Sequence, residues 1–328
     1  MKPRDVMVAT HGHCFDGTSS AALFTHLLRS IEPSRASSFR YRSCGYGPGM
    51  QQIPEGWLDG EVSAILDFRY TKSARLTWYF DHHITGFGTP EERDQALAGA
   101  RGGPGDRPQV HYDPASGSCT KLIAEVSRDR FGVDMSAHAE LIAWADLIDT
   151  AGFASAEAAT RRDEPVLQLA AVIEHHADGP FLNQYVPRLM EEGVIELAKD
   201  EAIQGLWRPI AASRETFTRR VEKAAQRIGP VVWVDLTDAP IDISAKFMTY
   251  ALYPDAMYSV QLARVKQHYK LSVGYNPWSP SPRRHDIASI CRRYEGGGHP
   301  AVGACAFPLD GLDRARAAAK AIVEELGR

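Results

Sequence analysis

Asp81-His82-His83 closes a short run of strand-forming residues, Leu76-Thr77-Trp78-Tyr79-Phe80. An acid and two imidazoles at the end of a buried strand are metal-ligand types, set at the edge where open α/β sheets place their chemistry. The same tripeptide would also serve as a turn with a capping Asp and two surface histidines, so it decides nothing alone. Two other strand candidates end in the same kind of residue. Val6-Met7-Val8-Ala9-Thr10 runs into His11-Gly12-His13-Cys14-Phe15-Asp16-Gly17, and Glu61–Leu66 ends in Asp67. An apolar helix read over Ala137–Leu147 carries Asp146 and Asp149 at its end. Imidazoles and carboxylates together suit Mn²⁺, Fe²⁺ or Zn²⁺, whereas carboxylates and water alone suit Mg²⁺. This is enough donor chemistry for two cations. Two ions roughly 3.5–4 Å apart hold a bridging hydroxide and stabilise the attacking and leaving oxygens of an in-line phosphoryl displacement. Asp67, from a central strand, is the candidate for the acid between them. Each residue has a blander reading taken singly, as a strand-end polar group, a turn or a solvated helix terminus. Four element ends finishing in ligand types favour the metal reading jointly. Cys14 lies among them and is read as packing or as a support for the ligands.

The second signal is Glu295-Gly296-Gly297-Gly298-His299. Three glycines let backbone approach a ligand closely and turn N–H groups toward an anion, with His299 as a further donor. Arg292 and Arg293 lie close in sequence, as do Arg283 and Arg284 across a Pro- and Ser-rich loop. The alternative is a glycine-rich turn between a helix and a strand. Two other features are set aside. His175-His176 sits in the apolar helical stretch that includes Ala170-Ala171-Val172-Ile173, and Arg214–Arg227 reads as the solvated face of a helix.

The elements that must position these residues read as strand–polar loop–helix units over the first half, the pattern of a parallel sheet. Thr18-Ser19-Ser20 caps a helix through Leu28, and Ser116–Thr120 leads into another over Lys121–Phe131. Residues 36–60 are turn-rich, and residues 88–108 read as a long surface loop. Residues 155–193 are helical, and Ile195–Ile228 reads as one long connector helix broken by Gly229-Pro230. β-like runs follow at Val231–Val234, Tyr258–Ala263, Tyr269–Gly274 and Ala301–Phe307, before an amphipathic helix over Leu312–Leu326.

The chain of 328 residues favours two domains, and 44% hydrophobic with 24% charged residues is ordinary for a globular protein with a core. A net charge of −4 excludes a globally basic surface for duplex DNA. Five scattered cysteines without a CxxC pair fit a reducing cytoplasm rather than a disulfide framework or a structural zinc site. The segment MKPRDVMVATHGH lacks the apolar run of a signal peptide, and no stretch is long enough to span a membrane.

Together these residues resemble the DHH phosphoesterase superfamily, in the branch that carries the DHH-associated C-terminal domain. The motifs stand as Thr10–Gly17, Leu66-Asp67, Asp81-His82-His83, Ala145-Asp146 or Asp149-Thr150, and Glu295–His299. The resemblance runs over nearly the full length. It implies an α/β fold in three parts: a catalytic domain with a mainly parallel sheet over residues 1–195, a helical linker over 196–228 and a smaller α/β substrate domain over 229–328. It implies two divalent ions, Mn²⁺ first, held by His11, His13, Asp16, Asp67, His82 and Asp146, with Asp149 as the second choice for the last place. His83 would touch the phosphate or orient the ligands. Gly297, Gly298 and His299, with Arg283, Arg284 or Arg293, would hold the substrate in a cleft between the domains. The implied activity is hydrolysis of short oligonucleotides or dinucleotides by a metal-bridging hydroxide in the cytoplasm, by a chain that is a monomer or a homodimer. A phosphatase for 3′-phosphoadenosine 5′-phosphate, or a nucleotide-binding protein with a degenerate metal site, are the alternatives. The first motif departs from the family pattern. His13 stands where the family has an Asp, and Asp16 comes one residue late. His13 either replaces the acid, shifting preference to softer ions, or leaves one metal site weak.

Overall fold

The computed structural model describes residues 3–35, 37–45, 53–99, 108–241 and 247–328. The chain forms two compact units, Met1–Gly152 with Arg162–Trp207, and Phe153–Arg161 with Arg208–Arg328.

The first unit contains β1 (Arg4–His11), α1 (Phe15–Ile31), β2 (Ser37–Cys44), β3 (Val62–Leu66), β4 (Trp78–Asp81), α2 (Pro90–Gly99), β5 (Gln109–Tyr112), α3 (Cys119–Phe131) and α4 (Ala139–Asp149). After α5 (Ala156–Thr160), which belongs to the second unit, come α6 (Pro165–His176), α7 (Gly179–Glu192), α8 (Val194–Lys199) and the start of α9 (Glu201–Ala224). The sheet order is β2-β1-β3-β4-β5, and every neighbouring pair is parallel. Val62–Leu66 and Trp78–Asp81 are buried throughout, as continuous apolar strands covered on both faces should be. Successive residues point to opposite faces, so the sheet feeds two layers of core. Ala9, Ile65, Tyr79 and Val110 join one cluster with Phe68 and Phe87. Trp78 and Phe80 lie in the other layer against Phe24, and Phe80 stacks on His111 of β5 at 4.6 Å.

The second unit contains α5, the rest of α9, β6 (Ala225–Ile228), β7 (Val231–Leu236), α10 (Met248–Leu252), β8 (Tyr258–Arg264), β9 (His268–Tyr275), α11 (Ile287–Arg292), β10 (Gly297–His299), β11 (Val302–Pro308) and α12 (Leu312–Leu326). Its sheet order is β10-β11-β9-β8-β7-β6, with only β7 and β8 parallel. α12 lays Ala315, Ala318, Ala319, Ile322, Val323 and Leu326 onto Val260, Leu262, Leu271 and Val273, the stripe of a surface helix on a sheet. Among the described residues, no helix is long and apolar enough to cross a membrane.

Several local expectations change. β2 lies inside the turn-rich stretch 36–60. It is an edge strand whose sequence, SSFRYRSC, buries only Tyr41 and Cys44, so it lacks a strong apolar signature. α2 occupies part of the expected 88–108 loop, and residues 100–107 lie outside the described residues. The connector read over Ile195–Ile228 is not one helix. Asp200 stops α8 and accepts from Ala202 N at 3.0 Å at the start of α9. Ala225–Ile228 is a strand, turned back onto β7 by Gly229-Pro230 with Gly229 at φ 55°. The division between units falls inside α9, after Trp207, rather than at 195 or 228.

His111 is 4% exposed, and its burial, with Arg130, pushes its pKa down to about 3 from 6.5. The unfolded chain therefore takes up a proton below pH 6.5 that the folded chain refuses, and stability falls as pH drops toward 3. At pH 5 the loss is about 2 kcal/mol, at about 1.4 kcal/mol per pH unit. His111→Phe should reduce the difference between urea-unfolding free energies at pH 7 and pH 5 by about that amount. An unchanged difference would remove His111 as an acid-labile point of the core.

Candidate metal centre

The parallel register delivers the ligand-type residues to one place. Thr10 pairs with Leu66 and Leu66 with Phe80, so the next residues, His11, Asp67 and Asp81, form one row at the carboxyl edge. Strand order changes direction between β1 and β3, and such crevices are where open α/β sheets bind ligands. Asp67 turns out of β3 with φ 54°, a left-handed conformation that Asp tolerates better than most residues, and its N–H donates to Phe80 O at 2.9 Å. Asp16 enters from the first turn of α1. Thr10 Oγ1 donates to Gly17 O at 2.6 Å, and a Cβ on Gly17 would lie 2.2 Å from His11 O. Only glycine lets the helix start this close to the strand end.

Asp67 is the hub. It is 1% exposed, and neither carboxylate oxygen has a hydrogen-bond partner among the described residues. Its neighbours are imidazoles beyond good hydrogen-bonding distance: His11 Nδ1 at 3.4 Å, His83 Nδ1 at 3.5 Å and His82 Nε2 at 3.6 Å. His82 Nε2 also lies 3.7 Å from Asp16 Oδ2 and 3.4 Å from Asp149 Oδ2. Three groups of donor atoms therefore converge: His11, Cys14 and Asp67; Asp67, His82 and His83; and Asp16, His82 and Asp149. In each, the ligand atoms lie within 4.8 Å of one another. Asp67 and His82 each belong to two groups.

The surroundings fix these side chains. His82 Nδ1 meets Ser116 O at 3.1 Å, so Nδ1–H donates and Nε2 is the nitrogen turned toward the acids. Asp81 is fully buried and accepts from Tyr79 OH, His82 N, His83 N and His83 Nδ1, the last at 2.8 Å. It orients the His83 imidazole, holds the backbone of His82, and takes no place in the donor groups. Asp16 accepts the amides of Cys119 and Thr120 at 2.8 and 2.9 Å, tying the start of α3 to the site.

The charges are poised for a cation. Burial opposes the charge on Asp67, yet His11 and His82, helped by His83, hold its carboxyl well below the ordinary range. Burial, then Asp67 and Asp149, push Asp16 well above it. Against the effect of burial, Asp67, Asp16 and Asp149 lift His82 to about 10. Against the same effect, Asp81 and Asp67 lift His83 to about 8. Without an ion the cluster keeps its balance by holding protons. A divalent cation supplies the same positive charge, and the unpartnered oxygens of Asp67 with Nε2 of His82 fit it as ligands.

Of the residues expected from sequence, the structure brings together His11, Asp16, Asp67, His82, His83 and Asp149. His13 is not among them. It is exposed at φ 53°, and the turn carries it away from the group that its neighbour Cys14 joins. Asp146, the favoured acid of α4, is turned instead toward Lys121 Nζ at 3.1 Å and lies against Gly117, while Asp149 faces His82. One turn of helix separates the two, and sequence spacing could not say which faced the sheet edge. Cys14, read from sequence as packing or support, joins a donor group. The residues that sequence reasoning passed over are the carbonyl of Ser116 and the amides of Cys119 and Thr120, for which the helix start read at Ser116–Thr120 was the signal.

The glycine-rich run takes a different form from a loop. Gly297–His299 is β10, an edge strand paired with Val302–Ala304. Cβ atoms on Gly296 or Gly298 would each lie 2.2 Å from a carbonyl of β11, and Gly298 has φ 145°, so packing alone demands these two glycines. Gly297 has open space around it. Arg283 and Arg284 are exposed, whereas Arg293 pairs with Glu325.

No protein-family model matches the sequence, and no curated protein matches it significantly. Solved structures do. A pGpG-specific phosphodiesterase, PggH, from Vibrio cholerae superposes with a TM-score of 0.67 at 18% identity, covering 98% of each chain. A DHH domain described as a member of the s1p family of ribosomal proteins gives 0.59 at 13% identity, over 98% of this chain and 86% of that one. RecJ from Thermus thermophilus, in complex with Mn²⁺, gives 0.55 at 13% identity over 98% of this chain, which spans about half (52%) of RecJ. At these identities the likeness is one of fold. The chain has the two-part α/β fold of DHH proteins.

Asp149→Asn should weaken Mn²⁺ binding at least tenfold in equilibrium dialysis, at the lower end of what disturbing a metal site does. Asp146→Asn should leave it within about threefold, since it alters a pair with Lys121 outside the donor groups. The reverse order would return the ligand role to Asp146.

Proposed function

We propose that this chain is a divalent-metal-dependent phosphoesterase of the DHH superfamily that hydrolyses phosphodiester bonds in short oligonucleotides or linear dinucleotides. The observation that carries this reading is the buried carboxylate of Asp67, which has no hydrogen-bond partner among the described residues and belongs to two of three adjoining donor groups. A structural acid buried to this degree would be hydrogen-bonded, as Asp81 is. The dinucleotide comes first among the proposed substrates because PggH, a pGpG-specific phosphodiesterase, matches over 98% of both chains.

In this reading His11 and Asp67 would hold one cation, and Asp16, His82 and Asp149, with Asp67 beside them, would hold the other. When bound, the ions supply positive charge against the phosphate oxygens and make water a stronger nucleophile at neutral pH. The chain's own residues do the rest. Asp81 locks His83 through Nδ1, so that Nε2 is the nitrogen left to meet the substrate. His83 would give its Nε2 proton to a phosphoryl oxygen or to the departing oxygen, with the ring held for that role by Asp81 at Nδ1. In the second unit, Gly297, Gly298 and His299, with Arg283 and Arg284, are the proposed substrate contacts. Arg293 has less to offer there, because Glu325 engages it. Mn²⁺ is the proposed ion, and the alternative of a degenerate, non-catalytic site has little support in a cluster this closely assembled.

The test is turnover by protein stripped with EDTA and reloaded with Mn²⁺. The panel holds linear dinucleotides, RNA and DNA of two to ten nucleotides, cyclic dinucleotides and 3′-phosphoadenosine 5′-phosphate. Mn²⁺ should restore cleavage of the linear dinucleotide. Asp67→Ala should lower kcat/KM roughly 10³-fold, about 4 kcal/mol of transition-state stabilisation. Release of inorganic phosphate from the mononucleotide alone would shift the assignment to a phosphatase. Inactivity on the whole panel by metal-loaded protein would contradict the enzyme reading.

A further inference from the structure

The turn between β1 and α1 holds a residue that a hydrolytic centre of oxygen and nitrogen ligands does not call for. Cys14 occupies the N-cap of α1 with extended backbone, φ −135° and ψ 133°. That position favours Ser, Thr, Asp or Asn, whose side-chain oxygen accepts a free amide of the first turn. Cys14 lacks that oxygen; its carbonyl accepts from Thr18 N and Thr18 Oγ1, and the amide of Gly17 is turned toward its sulfur. The cap position by itself does not call for a thiol in place of an oxygen. Its placement does: the Cys14 sulfur lies within 4.8 Å of both a His11 nitrogen and an Asp67 oxygen.

We propose that Cys14 is a direct ligand of the cation held by His11 and Asp67, making that half of the centre an imidazole–thiolate–carboxylate site. This rests on the reading that the cluster binds divalent cations. Metal–sulfur and metal–nitrogen bonds of about 2.3 and 2.0 Å at a tetrahedral angle place their donors roughly 3.5 Å apart. His11 Nδ1 and Asp67 Oδ2 are already 3.4 Å apart, so closing the site needs a movement of at most roughly 1.3 Å by the sulfur. The independent sign of a cation at this spot is Asp67, 1% exposed with both oxygens lacking hydrogen-bond partners among the described residues. Among the residues of the turn, Cys14 joins the donor group and His13 does not. The residue that softens this centre is thus the cysteine, and not the histidine that replaces an acid in the motif.

Ligation removes one proton. The S–H bond breaks, the proton passes to solvent, and the sulfur's electron pair forms the bond to the cation. The thiolate adds a negative charge and a soft donor, which favours Zn²⁺, Fe²⁺ or Co²⁺ over Mg²⁺ and Mn²⁺ at this position.

Cobalt reports the ligand directly. Co²⁺ titrated into the EDTA-stripped full chain should produce visible ligand-field bands together with a near-ultraviolet sulfur-to-cobalt charge-transfer band. Cys14→Ser should keep the visible bands and lose the near-ultraviolet one. It should also lower Zn²⁺ affinity relative to Mn²⁺ by about tenfold or more. Cys119→Ser is the control, since that neighbouring thiol donates to Phe80 O, and it should keep the charge-transfer band. Bound cobalt with visible bands but no sulfur band in the unaltered protein would overturn the inference and leave the metal centre standing. That result needs no variant to fold. A sulfur band that survives in Cys14→Ser would overturn it as well. Failure of the chain to take up any cobalt would overturn both the inference and the reading beneath it.

Discussion

A negative charge held at 1% exposure, whose carboxylate oxygens find no amide or hydroxyl donor among the described residues, is the constraint on which the first unit depends. Moving an isolated carboxylate out of water is expensive, and an apolar core offers nothing to offset it. Asp67 survives there because three imidazoles ring it and two further acids share them. The arrangement resembles half of an ion pair whose other half is left to a mobile cation. Buried acids are ordinarily hydrogen-bonded; Asp81, one strand away and equally buried, has four donors among the described residues.

The rest of the unit makes that convergence possible. Parallel pairing of β1, β3 and β4 sets three strand ends in one row, so residues some 60 to 70 positions apart meet without any loop having to reach. Gly17 allows α1 to begin against the end of β1, which brings Asp16 in, and Asp16 in turn holds the start of α3. Ser116 just before that helix fixes the tautomer of His82. Each support is also a link between elements, so the geometry of the site and the stability of the sheet edge are coupled.

Much of this was legible in the residues. Apolar runs ending in His11, Asp67 and Asp81 announced both the strands and the chemistry, because in a parallel sheet the position of a strand end is the position of a ligand. What could not be read was orientation. Asp146 and Asp149 are one helical turn apart, and only the rotation of α4 distinguishes them. His13 and Cys14 are adjacent, and a left-handed φ at His13 sends one outward and the other to the metal group. Edge strands were the weakest signals. β2 has a polar alternating sequence, β6 continues the composition of the helix before it, and β10 is three residues of glycine and histidine. Their identity comes from the neighbour each pairs with, which local sequence does not contain.

The central claim is that Asp67 lies between two cations. Anomalous diffraction from crystals grown with Mn²⁺ tests it most directly. The account predicts two peaks roughly 3.5–4 Å apart, one bounded by His11 and Asp67 and the other by Asp16, Asp67, His82 and Asp149. Density showing Asp67 hydrogen-bonded to protein groups with no peak beside it would contradict the account.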